Sequence, residues 1–170
     1  MDPTATDDSR VAALERRLAA LEDQRGVIAT LHAYGHAIDA GDEERWLDCF
    51  AEDGRFSASG ENREKMGFDV RGREQLAAFI AAHTRRPEQF HQHLVVEPVI
   101  EIDGDRARCT SYFLVLMRHE RMPRIRAFGR YEDELVRGAD GRWRFRHRHA
   151  TIDGADATLP RIAFAREGRT

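Results

Sequence analysis

Cysteine, lysine and long apolar runs are what this sequence lacks. Its two cysteines, Cys49 and Cys109, lie far apart and match no metal-ligand spacing. They are expected to be reduced, buried thiols in a cytoplasmic protein. No stretch approaches the ~20 apolar residues of a membrane span, and Met1-Asp2-Pro3-Thr4 is too acidic and polar for a signal peptide. Charge of one sign is missing as well. The 27 basic residues, of which Lys65 is the only lysine, face 30 acidic ones for a net charge of −3. Because Asp and Glu are interspersed among the arginines, no one-sided basic surface forms, and nucleic acid is excluded as a partner.

A chain of 170 residues, 41% hydrophobic and 34% charged, fits one soluble domain that buries about two-thirds of its unfolded surface. Residues 1–8 read as a frayed tail and 9–152 as the domain. Residues 153–170 form a second tail whose Leu159, Ile162 and Phe164 would cover a pocket mouth or reach a partner.

Helical periodicity comes first along the chain. Val11, Leu14, Leu18 and Leu21 make one stripe on a helix from about Ser9 to Asp23, capped by Asp7 or Asp8. That stripe must bury against the domain or a second subunit. Gly26 interrupts, and a second helix from Val27 to Ala40 closes at Gly41. Asp42 caps a short helix from Glu43 to Phe50, Asp53-Gly54 is a turn, and a strand spans 55–59. Residues 60–71 read as a mobile loop, 73–83 as a third helix, and Pro87 ends that region.

The period then changes to two. Strands are expected at 90–102, 106–119, 124–137 and 142–152, with Asp103-Gly104 and Asp140-Gly141 as hairpin turns. Helices followed by long antiparallel strands indicate an α+β fold: a curved, cone-like sheet with the N-terminal helices enclosing a pocket. Between 108 and 119 both parities are apolar at mid-strand, Phe113, Val115 and Met117 against Tyr112, Leu114 and Leu116. Both faces are therefore covered, one by helices and the other by a second copy in a homodimer or homotrimer.

The inward polar residues are the candidates for chemistry. His93 and His119 lie on neighbouring strands, Tyr34 and Asp39 on the second helix, and Tyr131 on a later strand. A histidine beside a carboxylate can take and return a proton near neutral pH. Phe113, Met117, Tyr131 and Arg148 are candidates for contacting substrate. The pairs His91/His93 and His147/His149 and the set His32/His36/Asp39 are the spacings that could begin a metal site. No third ligand of family-like spacing accompanies the pairs, so neither metal nor other cofactor is expected.

Tyr34-x4-Asp39-x-Gly41-Asp42, Trp46 and Phe50-x2-Asp53-Gly54 open a pattern that continues through Gly72-Arg73-Glu74, Gln92-His93-Leu94, Gly104-Asp105-Arg106-Ala107 and Ser111-Tyr112. It ends with Gly129-x-Tyr131-x-Asp133-x3-Arg137 and Gly141-Arg142-Trp143-Arg144-Phe145. In order and spacing this resembles the SnoaL-like branch of the nuclear transport factor 2-like superfamily, over about residues 20–150. Within it the chain is similar to scytalone dehydratase and the bile acid 7α-dehydratases. The resemblance implies catalytic roles for His93 and His119, an orienting role for Asp39, and a tyrosine–aspartate pair in Tyr34 and Asp39. Departures at Ile38, Gly129 and Tyr131 imply a different substrate. The implied activity is cofactor-independent dehydration of a small hydrophobic, carbonyl-bearing polyketide-, aromatic- or steroid-like molecule. Isomerisation, cyclisation, or a non-catalytic role like that of a dioxygenase β subunit are the alternatives.

Overall fold

The computed structural model describes residues 3–60, 67–85 and 89–159. Helix α1 spans Pro3–Ala40, α2 Glu43–Asp48 and α3 Gly72–Ala82; the strands are β1 Phe50–Gly60, β2 Phe68–Arg71, β3 His91–Asp103, β4 Arg106–His119, β5 Met122–Arg137 and β6 Trp143–Ala155. They form one mixed sheet of order β2-β1-β6-β5-β4-β3, in which β1 and β6 run parallel and the other neighbours antiparallel.

The two expected N-terminal helices are one. Gly26 does not break α1; it lets a large ring approach, since a Cβ there would lie 2.6 Å from Trp143 Cδ1. The same stretch of helix is pinned to the sheet by Arg137 Nη1, donating to Asp23 Oδ1 at 2.6 Å, and by Thr30 Oγ1, donating to the Trp143 carbonyl at 2.6 Å. Tertiary anchoring thus outweighs the ~1 kcal/mol cost of a mid-helix glycine. The helix begins before the expected Asp7/Asp8 cap, and its stripe of Val11, Leu14, Leu18 and Leu21 is exposed on the single chain. It ends as expected at Gly41, in the left-handed region at φ +71°. Asp42 then caps α2 by accepting from the Arg45 N–H.

Two turn readings also change. Asp53-Gly54 lies inside β1, at a register shift between Phe50 and Arg55 against β6; a bulge rather than a turn accommodates the glycine. Part of the expected 60–71 loop is strand β2. Between β4 and β5 the chain reverses through Glu120 and Arg121, both at positive φ, so β5 starts at Met122. That turn lacks the Asn-Gly or Asp-Gly signature, whereas Gly104 and Gly141 carry the two hairpins that the sequence announces. Pro87, Ile162 and Phe164, with their expected roles, lie outside the described residues.

The helices cover one face of the sheet. Cys109, Phe113, Val115 and Met117 on β4 are buried beneath α1 and α3 with Tyr34, Ile38, Phe79 and Ile80. On the opposite face, Leu94, Leu114 and Phe128 stand opposite one another across β3, β4 and β5. Leu94, Tyr112 and Phe128 are exposed there.

Candidate functional site

The last turn of α1 crosses the start of β3 at close range. Gly35 permits this, because a Cβ at that position would stand 3.0 Å from the His93 carbonyl. One helical turn later Asp39 meets His93. The carboxylate accepts the His93 backbone N–H at 2.9 and 3.1 Å and the His93 ring Nδ1 at 2.7 Å. A ring bonded to a carboxylate through Nδ1 has its other nitrogen, Nε2, left for chemistry. His93 is nearly buried, with 9% of its side chain exposed, and Asp39 is more open at 19%.

On the inner side, His93 contributes to a cavity of about 90 Å³ whose walls are otherwise largely aromatic and aliphatic. Tyr34, Phe113, Tyr131, Phe79 and Arg126 share that lining. Phe113 packs against Tyr131 with ring centres 4.6 Å apart and planes tilted by 30°. Gly129 leaves the space that Phe113 occupies, since a Cβ there would fall 2.9 Å from Phe113 Cε1. On the outer side, His93 and Asp39 also line a groove of about 500 Å³ between α1 and β3, together with His32 and His36. The groove is larger but mixed in polarity. The cavity is the drier compartment, and electrostatic stabilisation of a developing charge is strongest where water is excluded.

Tyr34 and Tyr131 are fully buried, and burial pushes both phenols above their ordinary pKa. Their rings meet edge to face with centres 6.2 Å apart, and both remain neutral donors. Behind them lies Arg148, its guanidinium 3.9 Å from the Tyr131 ring centre, 4.3 Å from Tyr34 and 4.2 Å from Phe145. Its Nε and Nη2 donate to the two Asp133 oxygens at 2.8 and 2.7 Å, and neither side chain is exposed. Burial opposes the Arg148 charge, yet the Asp133 carboxylate overcomes it and holds the cation above its usual pKa. Arg148 therefore buttresses the tyrosines from behind and does not join the cavity lining, unlike the substrate contact for which it is a candidate in the sequence.

Met117 is buried, with its sulfur 3.6 Å from Gln89 Nε2, and lies outside the cavity lining. His119 is also apart. His93 pairs with Val115, and His119, four residues further along β4, pairs with Met122 at the turn. Four strand residues span ~13 Å. Among the described residues no hydrogen bond or ion pair joins His119 to Asp39, whose imidazole partner is His93 instead.

Two histidines that sequence reasoning did not assign to the site complete it. His91 Nε2 lies 3.8 Å from Asp39 Oδ1. His83, just past α3, has its ring centre 5.0 Å from that of His91 and 5.8 Å from that of His93. Burial drives the His83 pKa down to about 2, with His93 and His91 adding to the shift, so His83 is a neutral imidazole. The shared parity of His91 and His93 was a usable signal; the position of His83 was not legible without the fold.

A sequence profile described as the SnoaL-like domain matches residues 19–149. No curated protein matches the chain. Among solved structures, the chain is similar to an NTF2-like protein with a cystatin-like fold from Novosphingobium aromaticivorans: 23% identity, TM-score 0.74, 85% of this chain and 91% of that one covered. ActVI-ORFA from Streptomyces coelicolor shares 26% identity at TM-score 0.66, over 76% and 96% of the two chains. A protein assigned as a scytalone dehydratase from N. aromaticivorans shares 22% identity at TM-score 0.66, over 89% and 97%.

Proposed function

Because the chain belongs to the SnoaL-like domain family, we propose that it is a cofactor-independent acid–base enzyme. Its reading here is a dehydratase acting on a small hydrophobic molecule with a hydroxyl β to a carbonyl. One observation carries this: the 2.7 Å Asp39–His93 bond stands at the wall of an apolar cavity that also holds two neutral phenols. His93 Nε2 removes a proton α to the carbonyl, and Asp39 stabilises the imidazolium that results. A phenol, from Tyr131 or Tyr34, donates to the developing enolate. As the enolate collapses, the C–O bond breaks and the β-hydroxyl leaves as water, taking the proton from His93. The same parts isomerise when that proton returns to a different carbon, and cyclise when the enolate attacks a second carbonyl. His119, at the turn, has no role in this scheme.

Cavity size favours a second reading. About 90 Å³, ringed by Phe56, Phe68, Phe79 and Phe113, is well below the ~300 Å³ at which ordinary ligand pockets begin. A non-catalytic module, working as the partner of a larger oxygenase-like subunit, is built with such a filled centre. The catalytic reading instead calls for a compact substrate and a second copy of this chain over the exposed Leu94, Tyr112 and Phe128 face.

The discriminating experiment incubates the purified chain with a panel of compact β-hydroxy ketones and follows the near-ultraviolet absorbance of the conjugated enone. Enone formation above the buffer rate, from a self-associated chain, is the expected result. No enone from any ketol, together with stable capture of a larger heterologous subunit, favours the module. No helix among the described residues is long and apolar enough to cross a membrane.

A further inference from the structure

Spacing along the chain gave the His91–His93 pair no further ligand; the fold supplies one. We propose that Asp39, His91 and His93 form a binding site for a divalent transition-metal ion of zinc type. One donor atom from each of the three residues falls within 4.8 Å of the others. The Asp39 oxygen stands 2.7 Å from His93 Nδ1 and 3.8 Å from His91 Nε2. Donors bound at ~2.0–2.1 Å around a tetrahedral zinc are ~3.4 Å apart, so the two separations bracket the required one. Reaching it requires the Asp39–His93 pair to open and the Asp39–His91 pair to close, both by side-chain rotation. Imidazole and carboxylate together suit zinc and its neighbours better than calcium or magnesium, which prefer oxygen alone.

The surroundings fit as well. The His93 backbone N–H donates to the Asp39 carboxylate and fixes its orientation, as outer-shell groups do at metal sites. The groove between α1 and β3 brings Asp39 and His93 to solvent and carries His32 and His36 along its wall, an entry route lined by further imidazoles. His91 stands deeper, buried behind them.

Occupancy has a consequence for the acid–base reading, and only this consequence rests on it. The ion takes the Asp39 oxygen and His93 Nδ1, so the ring's one proton sits on Nε2 and the loaded protein loses its proton acceptor. Zinc in this site is an inhibitor of proton transfer.

The test uses the full chain stripped with chelator and titrated with Co²⁺, read by the visible absorption of a low-symmetry nitrogen–oxygen site and by competition with Zn²⁺. One ion per chain is expected. His91→Gln is expected to weaken binding by more than the ~10–100-fold typical of losing an outer-shell partner, while His147→Gln, on β6, binds as the wild type does. Circular dichroism of His91→Gln establishes that it is folded. No saturable binding by the wild type, equal binding by folded His91→Gln, or an equal loss in His147→Gln overturns the site. The titration contains no substrate: a chain that binds Co²⁺ but never turns over sinks the acid–base reading alone, and a chain that turns over without binding Co²⁺ sinks the metal site alone.

Discussion

Replacing His93 with glutamine is expected to lower turnover ~10²–10⁴-fold, the usual contribution of a positioned general base, with KM little changed. Glutamine keeps much of the volume and a polar end, so the cavity wall persists while the proton acceptor is gone. Asp39→Asn is expected to fall into the same range by a different route. The amide still meets the ring, but it can neither stabilise an imidazolium nor hold Nδ1–H as a carboxylate does. Asp39 also accepts the His93 backbone N–H, so the variant loosens the start of β3. Combining the two substitutions should cost little more than either alone, because the residues act as one unit. Steady-state kinetics on the ketol substrate checks all three; a double variant whose losses multiply would contradict the dyad.

The second large effect concerns stability. Arg148→Met leaves the Asp133 carboxylate fully buried with no countercharge, and loss of one partner of a buried pair costs ~3–5 kcal/mol. The guanidinium also fills the space behind Tyr34, Tyr131 and Phe145, so its removal loosens the cavity wall. Chemical denaturation should show the midpoint falling with little change in slope. The double variant Arg148→Met/Asp133→Leu is expected to regain much of the loss, because apolar replacement of both partners is often near neutral. A single variant within about 1 kcal/mol of wild type would show that the pair is not the strut described here, since ordinary surface changes stay within ~0.5 kcal/mol.

Both effects bear on how much was legible beforehand. The change from helical to strand period, the hairpin glycines and the inward row of β4 follow from local rules, and they set the architecture. Gly26 misled because a glycine that admits a tryptophan ring and one that ends a helix look alike in a single sequence. His119 misled for a related reason. Parity places it on the inner face, but register decides how far along that face it sits, and register is set by pairing across strands. Arg148 looked ambiguous, since nothing local reveals that Asp133, on the neighbouring strand, lies opposite it in the ladder. Asp39 and His93 stand 54 positions apart, and their meeting depends on Gly35 bringing the helix down onto β3. His83 joins them from the end of a different helix. Long-range packing assembled the site, and only its strand-borne members left a local signature.

The central claim is that His93, oriented by Asp39, removes a carbon-bound proton inside a dry pocket. Its most direct measurement is deuterium uptake at the α carbon of a compact cyclic ketone in D₂O, followed by mass spectrometry, which needs no dehydration, isomerisation or ring closure. Wild-type protein should exchange the α proton well above the buffer rate, and His93→Gln should not. Equal exchange by the two proteins, or none by the wild type, would contradict the account.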